Sequence, residues 1–180
     1  MSVINEKDFN ADVVMQIAKQ MAVSARTAPK ARGNDNLEIL LVTGNTIKQL
    51  SDKMKEIGAA YSTPFFERDA ENILNSPVVL LFGTCLKSQG LKKCGMCGFA
   101  NCTEREKQPQ HPCVFNSHDL GLAIGSAVSI AKANNIDNRV MYTVGQAAME
   151  LKLFKTDVKI ALAVPLSATN KSPFFDRPAV

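Results

Sequence analysis

A chain of 180 residues, 46% hydrophobic and 21% charged, can bury a substantial core as one domain and is too balanced for a disordered or fibrous protein. Its net charge of +4 is small and scattered, which argues against nucleic acid as a partner. The opening residues 1–8 carry acids and no apolar signal region, and the longest smooth apolar stretch, 121–133, is too short for a bilayer span; the expectation is a cytoplasmic protein with no membrane partner.

Asn5 is suited to cap a first helix, with Phe9, Val13, Ile17 and Met21 recurring every fourth residue on one face. The helix should give out near Ser24, before a basic loop that holds Arg26, Lys30 and Arg32. Residues 37–43 form a short apolar element of either type. Asn45 starts a helix marked by Ile47, Leu50, Met54 and Ile57, and a shorter helix over 65–74 stops before Pro77.

Residues 77–84 are almost wholly apolar and rich in β-formers, which predicts a central strand. A cysteine loop follows over 85–116. The next helix begins at Ser117 and turns Leu120, Ile124, Val128 and Ala131 inward, with Gly121 and Gly125 allowing close approach. Another helix spans 138–153, and residues 157–164 supply a second strand before Pro165. Few strands among many helices predict an α+β protein, its helices packed on a small mixed sheet.

Four of the five cysteines fall at Cys94, Cys97, Cys102 and Cys113, a C-x2-C-x4-C-x10-C spacing. In a reducing setting such clustering means metal or redox chemistry more often than disulfides. Four thiolates suit a 4Fe–4S cluster, and Gly95 and Gly98 let the backbone turn tightly and aim N–H groups at sulfur. Zinc is the rival, although a zinc site usually has a second close pair and here the third and fourth ligands stand singly. His111 and His118 are candidate substitutes in a zinc site. Cys85 is read as a small buried hydrophobe, or as a replacement fourth ligand should Cys113 prove remote. Asp119 favours a helix N-terminus. Lys87, Lys92 and Lys93 read as solvated surface.

The run Cys94-Gly95-x-Cys97-Gly98-x-x-x-Cys102 resembles the opening of the four-cysteine 4Fe–4S domain of several redox proteins. Residues 25–30, 119–127, 137–140, 165–169 and 174–177 are similar to the ferredoxin-domain-containing protein family of prokaryotes, cysteine-bearing relatives of the nitroreductases. That resemblance implies a nitroreductase-like fold over residues 1–180 as a single domain, with the cysteine loop 85–116 inserted in it. It also implies FMN and a homodimer with flavin at the interface. In the larger superfamily an Arg-x-Ser-x-Arg/Lys segment after the first helix holds the flavin's phosphate and ring edge. Here the matching residues are Arg26, Thr27, Ala28 and Lys30, with Ala28 where the serine stands, and Lys171 and Arg177 in the tail complete such a site.

Two cations four apart beside a proline suit a phosphate, or else pair with acids or lie in water. The leading expectation is an iron–sulfur oxidoreductase or electron-transfer protein that uses FMN, with a redox partner protein or a small-molecule electron acceptor. The alternative is a non-enzymatic binding module stabilised by zinc or a cluster, its scaffold having lost the flavin, as the alanine at 28 would suit. A cysteine nucleophile paired with His111 is disfavoured by Pro112 between His111 and Cys113. No residue is assigned as catalytic.

Overall fold

The computed structural model describes residues 2–175. The described elements run in chain order as α1 (Asn10–Thr27), β1 (Leu37–Val42), α2 (Asn45–Tyr61), α3 (Pro64–Ile73), β2 (Val78–Cys85), α4 (Cys102–Glu106), α5 (Val114–Ala133), β3 (Asp137–Asn138), α6 (Tyr142–Glu150) and β4 (Val158–Ser167). The four strands form one sheet in the order β1-β2-β4-β3, antiparallel at every described pairing rather than mixed.

Strand β2 is central because both its faces are apolar. Val78, Leu80 and Phe82 join a cluster with α1 and α5, whereas Val79 and Leu81 join a second cluster with α2, α3 and α6. All five are fully buried, so the sheet is the middle of three layers.

The helix faces follow the sequence with one shift. Asn5 accepts the N–H of Lys7 at 3.1 Å, but it caps a single 3-10 turn, and α1 starts only at Asn10. The buried stripe of α1 is Val14, Ile17, Ala18, Met21 and Ala25, while Phe9 and Val13 are exposed. A spacing of three and four residues keeps a stripe over the core; a strict spacing of four drifts off it. In α2 the expected Ile47, Leu50, Met54 and Ile57 are all buried.

The segment 37–43 resolves as a strand, β1. Residues 137–141 do not join a helix, because Asp137 and Asn138 pair with β4 and Met141 exchanges backbone hydrogen bonds of 2.8 and 2.9 Å with Ala163. Tertiary pairing thus overrides local propensity there. Strand β4 runs through Pro165 to Ser167. Ala163 turns its N–H and C=O towards Met141, so by alternation Pro165 presents its missing N–H to the same side and takes nothing from the β2 ladder. At Gly145, a Cβ would sit 2.1 Å from the carbonyl oxygen of Ala161, so only glycine lets α6 lie this close on β4.

Candidate metal centre

The segment between β2 and α5 carries four of the five cysteines. Cys94, Cys97 and Cys102 are half-buried and Cys113 is buried; Cys102 opens the one-turn helix α4. Between Cys94 and Cys97 the chain turns back, Gly98 donating to the Gly95 carbonyl at 3.0 Å with φ +86°, a conformation open to glycine. Asn101 caps α4 by accepting the Glu104 N–H at 3.0 Å. Among the described residues, no three or more His, Cys, Asp or Glu side chains are gathered closely enough to hold a metal ion. The structure places the four thiols on one loop without bringing them to one point.

Cys113 is tied to the core through α5. Its carbonyl accepts the N–H of Asn116 at 2.9 Å, and Asn116 Oδ1 accepts the Cys113 N–H at 2.9 Å, a reciprocal tie at the head of α5. The Asn116 amide also donates to the Lys87 carbonyl at 3.1 Å, joining the two ends of the loop. Asn116 is itself buried.

A second tie is Arg105, on α4. It retains only 3% exposure, donates Nε and Nη2 to the His111 carbonyl, and reaches Ser88 Oγ from Nη1 at 3.5 Å. A third is Gln89, buried, whose carbonyl accepts Arg32 Nη1 at 2.6 Å and whose Oε1 accepts Asn34 Nδ2 at 2.9 Å. Gln89 Nε2 is buried with no hydrogen-bond partner among the described residues.

These three residues were not singled out from sequence. Asn116 could have been, since it stands three residues after Cys113 at capping-box spacing. Nothing local marks Arg105, because burial of an arginine follows from what covers it.

The two histidines lie outside this set. His111 is exposed and stacks edge-on to Phe99 at 5.6 Å; His118 is exposed and edge-on to Phe115 at 6.1 Å. Asp119, read from sequence as a helix-terminus acid, is instead buried. Both its carboxylate oxygens accept the Ala31 N–H at 3.1 Å, which pins the basic loop to α5.

The basic segment after α1 is already bonded within the chain. Arg26 Nη1 pairs with Asp35 Oδ2 at 2.6 Å and with the Leu37 carbonyl at 3.1 Å. The Thr27 hydroxyl bonds back to the Val23 and Ser24 carbonyls, and Ala28 is the buried residue that ends the helix. Lys30 Nζ donates to the carbonyls of Ala25, Arg26 and Ala28 at 3.0, 2.7 and 2.8 Å, closing the helix C-terminus where a cation is favoured. At the tail, the Lys171 carbonyl accepts the Thr169 hydroxyl at 2.6 Å, and Arg177 lies outside the described residues.

Cys85 ends β2 half-buried rather than buried. It lines a cavity of about 760 Å³ with Lys87, Pro112, Thr156, Lys159 and Ile160, between the cysteine loop and the start of β4. No described helix is long and apolar enough to cross a membrane.

Solved flavoproteins share this fold at low identity. A nitroreductase with bound FMN from Desulfitobacterium hafniense superposes with a TM-score of 0.61 at 13% identity, covering 92% of this chain and 81% of that one. A BluB-like flavoprotein from Clostridium difficile gives 0.59 at 15%, covering 92% and 84%. A nitroreductase with bound FMN from Bacteroides fragilis gives 0.60 at 12%, covering 99% and 85%. The architecture is therefore nitroreductase-like. A family model described as "uncharacterized protein containing a ferredoxin domain (DUF2148)" matches residues 110–177, a stretch that includes Cys113 but not the other three loop cysteines. An uncharacterized protein of Archaeoglobus fulgidus is 40% identical over 181 aligned residues, 97% of each chain. With fold, sequence relative and family model in agreement, this chain belongs to the family of uncharacterized proteins containing a ferredoxin domain.

Proposed function

We propose that this chain is an iron–sulfur oxidoreductase or electron-transfer protein whose 4Fe–4S cluster is held by Cys94, Cys97, Cys102 and Cys113. The observation that carries the reading is a four-thiol donor set on one loop, in a family named for a ferredoxin domain. The donor chemistry fits: thiolates are the soft ligands iron–sulfur clusters take. Cys113 is buried and held at the head of α5 by the Asn116 side chain, which accepts its N–H at 2.9 Å. Cys94 and Cys97 flank a glycine turn, and residues 106–112 are exposed, so the loop can close on a centre by changing turns without unpacking the sheet. The cluster, when bound, supplies single-electron transfer.

The loop lies within one nitroreductase-like domain, and FMN is the natural second cofactor, since two of the structural neighbours are nitroreductases with bound FMN. Arg26, Thr27, Ala28, Lys30, Lys171 and Arg177 are the residues that would receive it, in a cytoplasmic homodimer served by a protein or small-molecule electron partner. The cavity beside Cys85 and Pro112 gives a small molecule access to the loop's wall. Zinc in the same four sulfurs is the rival occupant.

Anaerobically purified protein should be brown, contain stoichiometric iron and sulfide, and bleach with dithionite. Colourless protein with one zinc per chain rejects the redox assignment. A second reading, a binding module without flavin, is favoured by one observation: Ala28 has no hydroxyl, and Arg26 and Lys30 are engaged with the chain's own acid and carbonyls. Titration of FMN against the apo-protein separates the two, because a module shows no saturable quenching of flavin fluorescence.

A further inference from the structure

On the cysteine loop Lys87, Lys92, Lys93 and Lys107 are exposed, yet Arg105 keeps only 3% of its surface. A guanidinium has five N–H groups. Three of them meet neutral oxygens, two on the His111 carbonyl and one on Ser88 Oγ. No carboxylate among the described residues pairs with it: of the loop's two acids, Glu104 is taken by Lys107 at 2.8 Å and Glu106 is exposed. A buried charge without a counter-charge is costly, and a hub made only to tie Ser88 to His111 would need no charge at all. Apart from those two glutamates, the groups near Arg105 along the chain that can carry negative charge are sulfurs. Cys102 lies one turn back on α4, three residues before Arg105, and Cys113 follows two residues after the carbonyl that Arg105 holds.

We propose that Arg105 is the counter-charge of the four-cysteine centre as well as the clamp that closes its loop. This rests on the cluster reading above. Four thiolates outweigh the positive charge of an iron–sulfur core, so the loaded centre is anionic, and it becomes more so on reduction. A fixed buried cation beside it favours the loaded loop over the empty one and favours the reduced form over the oxidised one.

The two roles separate by comparing the protein with and without its cluster. Arg105→Met removes charge and hydrogen bonds at similar volume. It should lower the melting temperature of the iron- and sulfide-reconstituted protein by about 10 °C, the loss expected when one partner of a buried charge pair goes. In the cluster-free protein the same change should cost less than half of that. The reduction midpoint, followed by dithionite titration of the visible spectrum, should move to more negative potential. Arg105→Lys keeps the charge and should leave the midpoint near the parent value.

A variant that keeps Arg105 guards against simple misfolding. Ser88→Asp offers the guanidinium a carboxylate at the position its Nη1 now reaches; it should leave the cluster-free protein as stable or more so and shift the midpoint negative. Equal destabilisation of loaded and empty protein by Arg105→Met, with an unmoved midpoint in all variants, would overturn the counter-charge and leave a clamp. Parent protein that takes up no iron and sulfide ends the cluster reading itself, and the counter-charge falls with it.

Discussion

The sheet and the cysteine loop are held together by different means. The sheet buries apolar side chains on both faces, and β2 contributes five fully buried residues in a row. The loop from Leu86 to Pro112 contains one short helix, and its order depends on three polar residues, Gln89, Arg105 and, from α5, Asn116. A region of the first kind supplies its own stability. A region of the second kind is adjustable, which is what a loop needs if it is to close round a cofactor after the scaffold has folded.

The widest gap between the two regions should appear at their glycines. Gly145→Val drives a branched side chain into the Ala161 carbonyl, which must lift α6 off β4, and should cost about 3 kcal/mol or more. That is roughly 10 °C in the melting temperature for a chain of this size. A variant melting within about 2 °C of the parent would mean that the α6–β4 approach is soft and the sheet region as adjustable as the loop. At the boundary, Asn116→Ala removes the partner of the buried Cys113 N–H and of the part-buried Lys87 carbonyl. It should cost about 2 kcal/mol and speed limited proteolysis between residues 86 and 113. Cleavage elsewhere at equal rates would show that the loop is not a separate unit.

Within the loop the effect should be smaller and local. Gly98 has φ +86° and open space around its missing Cβ, so Gly98→Ala strains the turn by about 1 kcal/mol without a clash. The melting temperature of cluster-free protein should barely move, while uptake of iron and sulfide falls severalfold. Unchanged uptake would argue that the turn between Cys94 and Cys97 does not need its left-handed corner.

The same contrast explains what the sequence disclosed. Ile47, Leu50, Met54 and Ile57 announce α2 because apolar spacing is a one-dimensional record of a buried face. The apolar run of β2 announces a strand covered on both sides for the same reason. Phe9 and Val13 misled because their spacing with Ile17 fits a helix while the core lies one residue round, at Val14 and Ala18. The cysteine spacing marked the loop but not its supports. Asn116 was legible only as a partner three residues from Cys113; Arg105 and Gln89 act through contacts with residues six to fifty-seven positions away, for which a linear pattern carries no signal. Lys30 shows what spacing leaves open: the cation that suits a phosphate also donates to three carbonyls at the end of its own helix.

The smallest expected effect lies where scaffold and cavity meet. Glu38 on β1 accepts the N–H groups of Lys155 and Thr156 at 2.8 and 2.9 Å and the Thr156 hydroxyl at 2.5 Å, fixing the turn that leads into β4 beside the cavity. Partial burial pushes its pKa up, but these donors, helped by the Lys155 charge, prevail and hold it below the ordinary glutamate value of 4.5. A carboxyl depressed on folding contributes stability above its unfolded value, and that contribution is lost as pH falls through the folded one. Glu38→Gln should therefore cost about 1 kcal/mol at pH 7, since the site is partly solvated and screened. The difference from the parent should shrink steadily below about pH 4.5. Denaturant titrations of both proteins across pH 3 to 7 check it. A gap that stayed constant through the acid range would mean that the Glu38 amide-facing geometry, rather than its charge, holds the 155–156 turn.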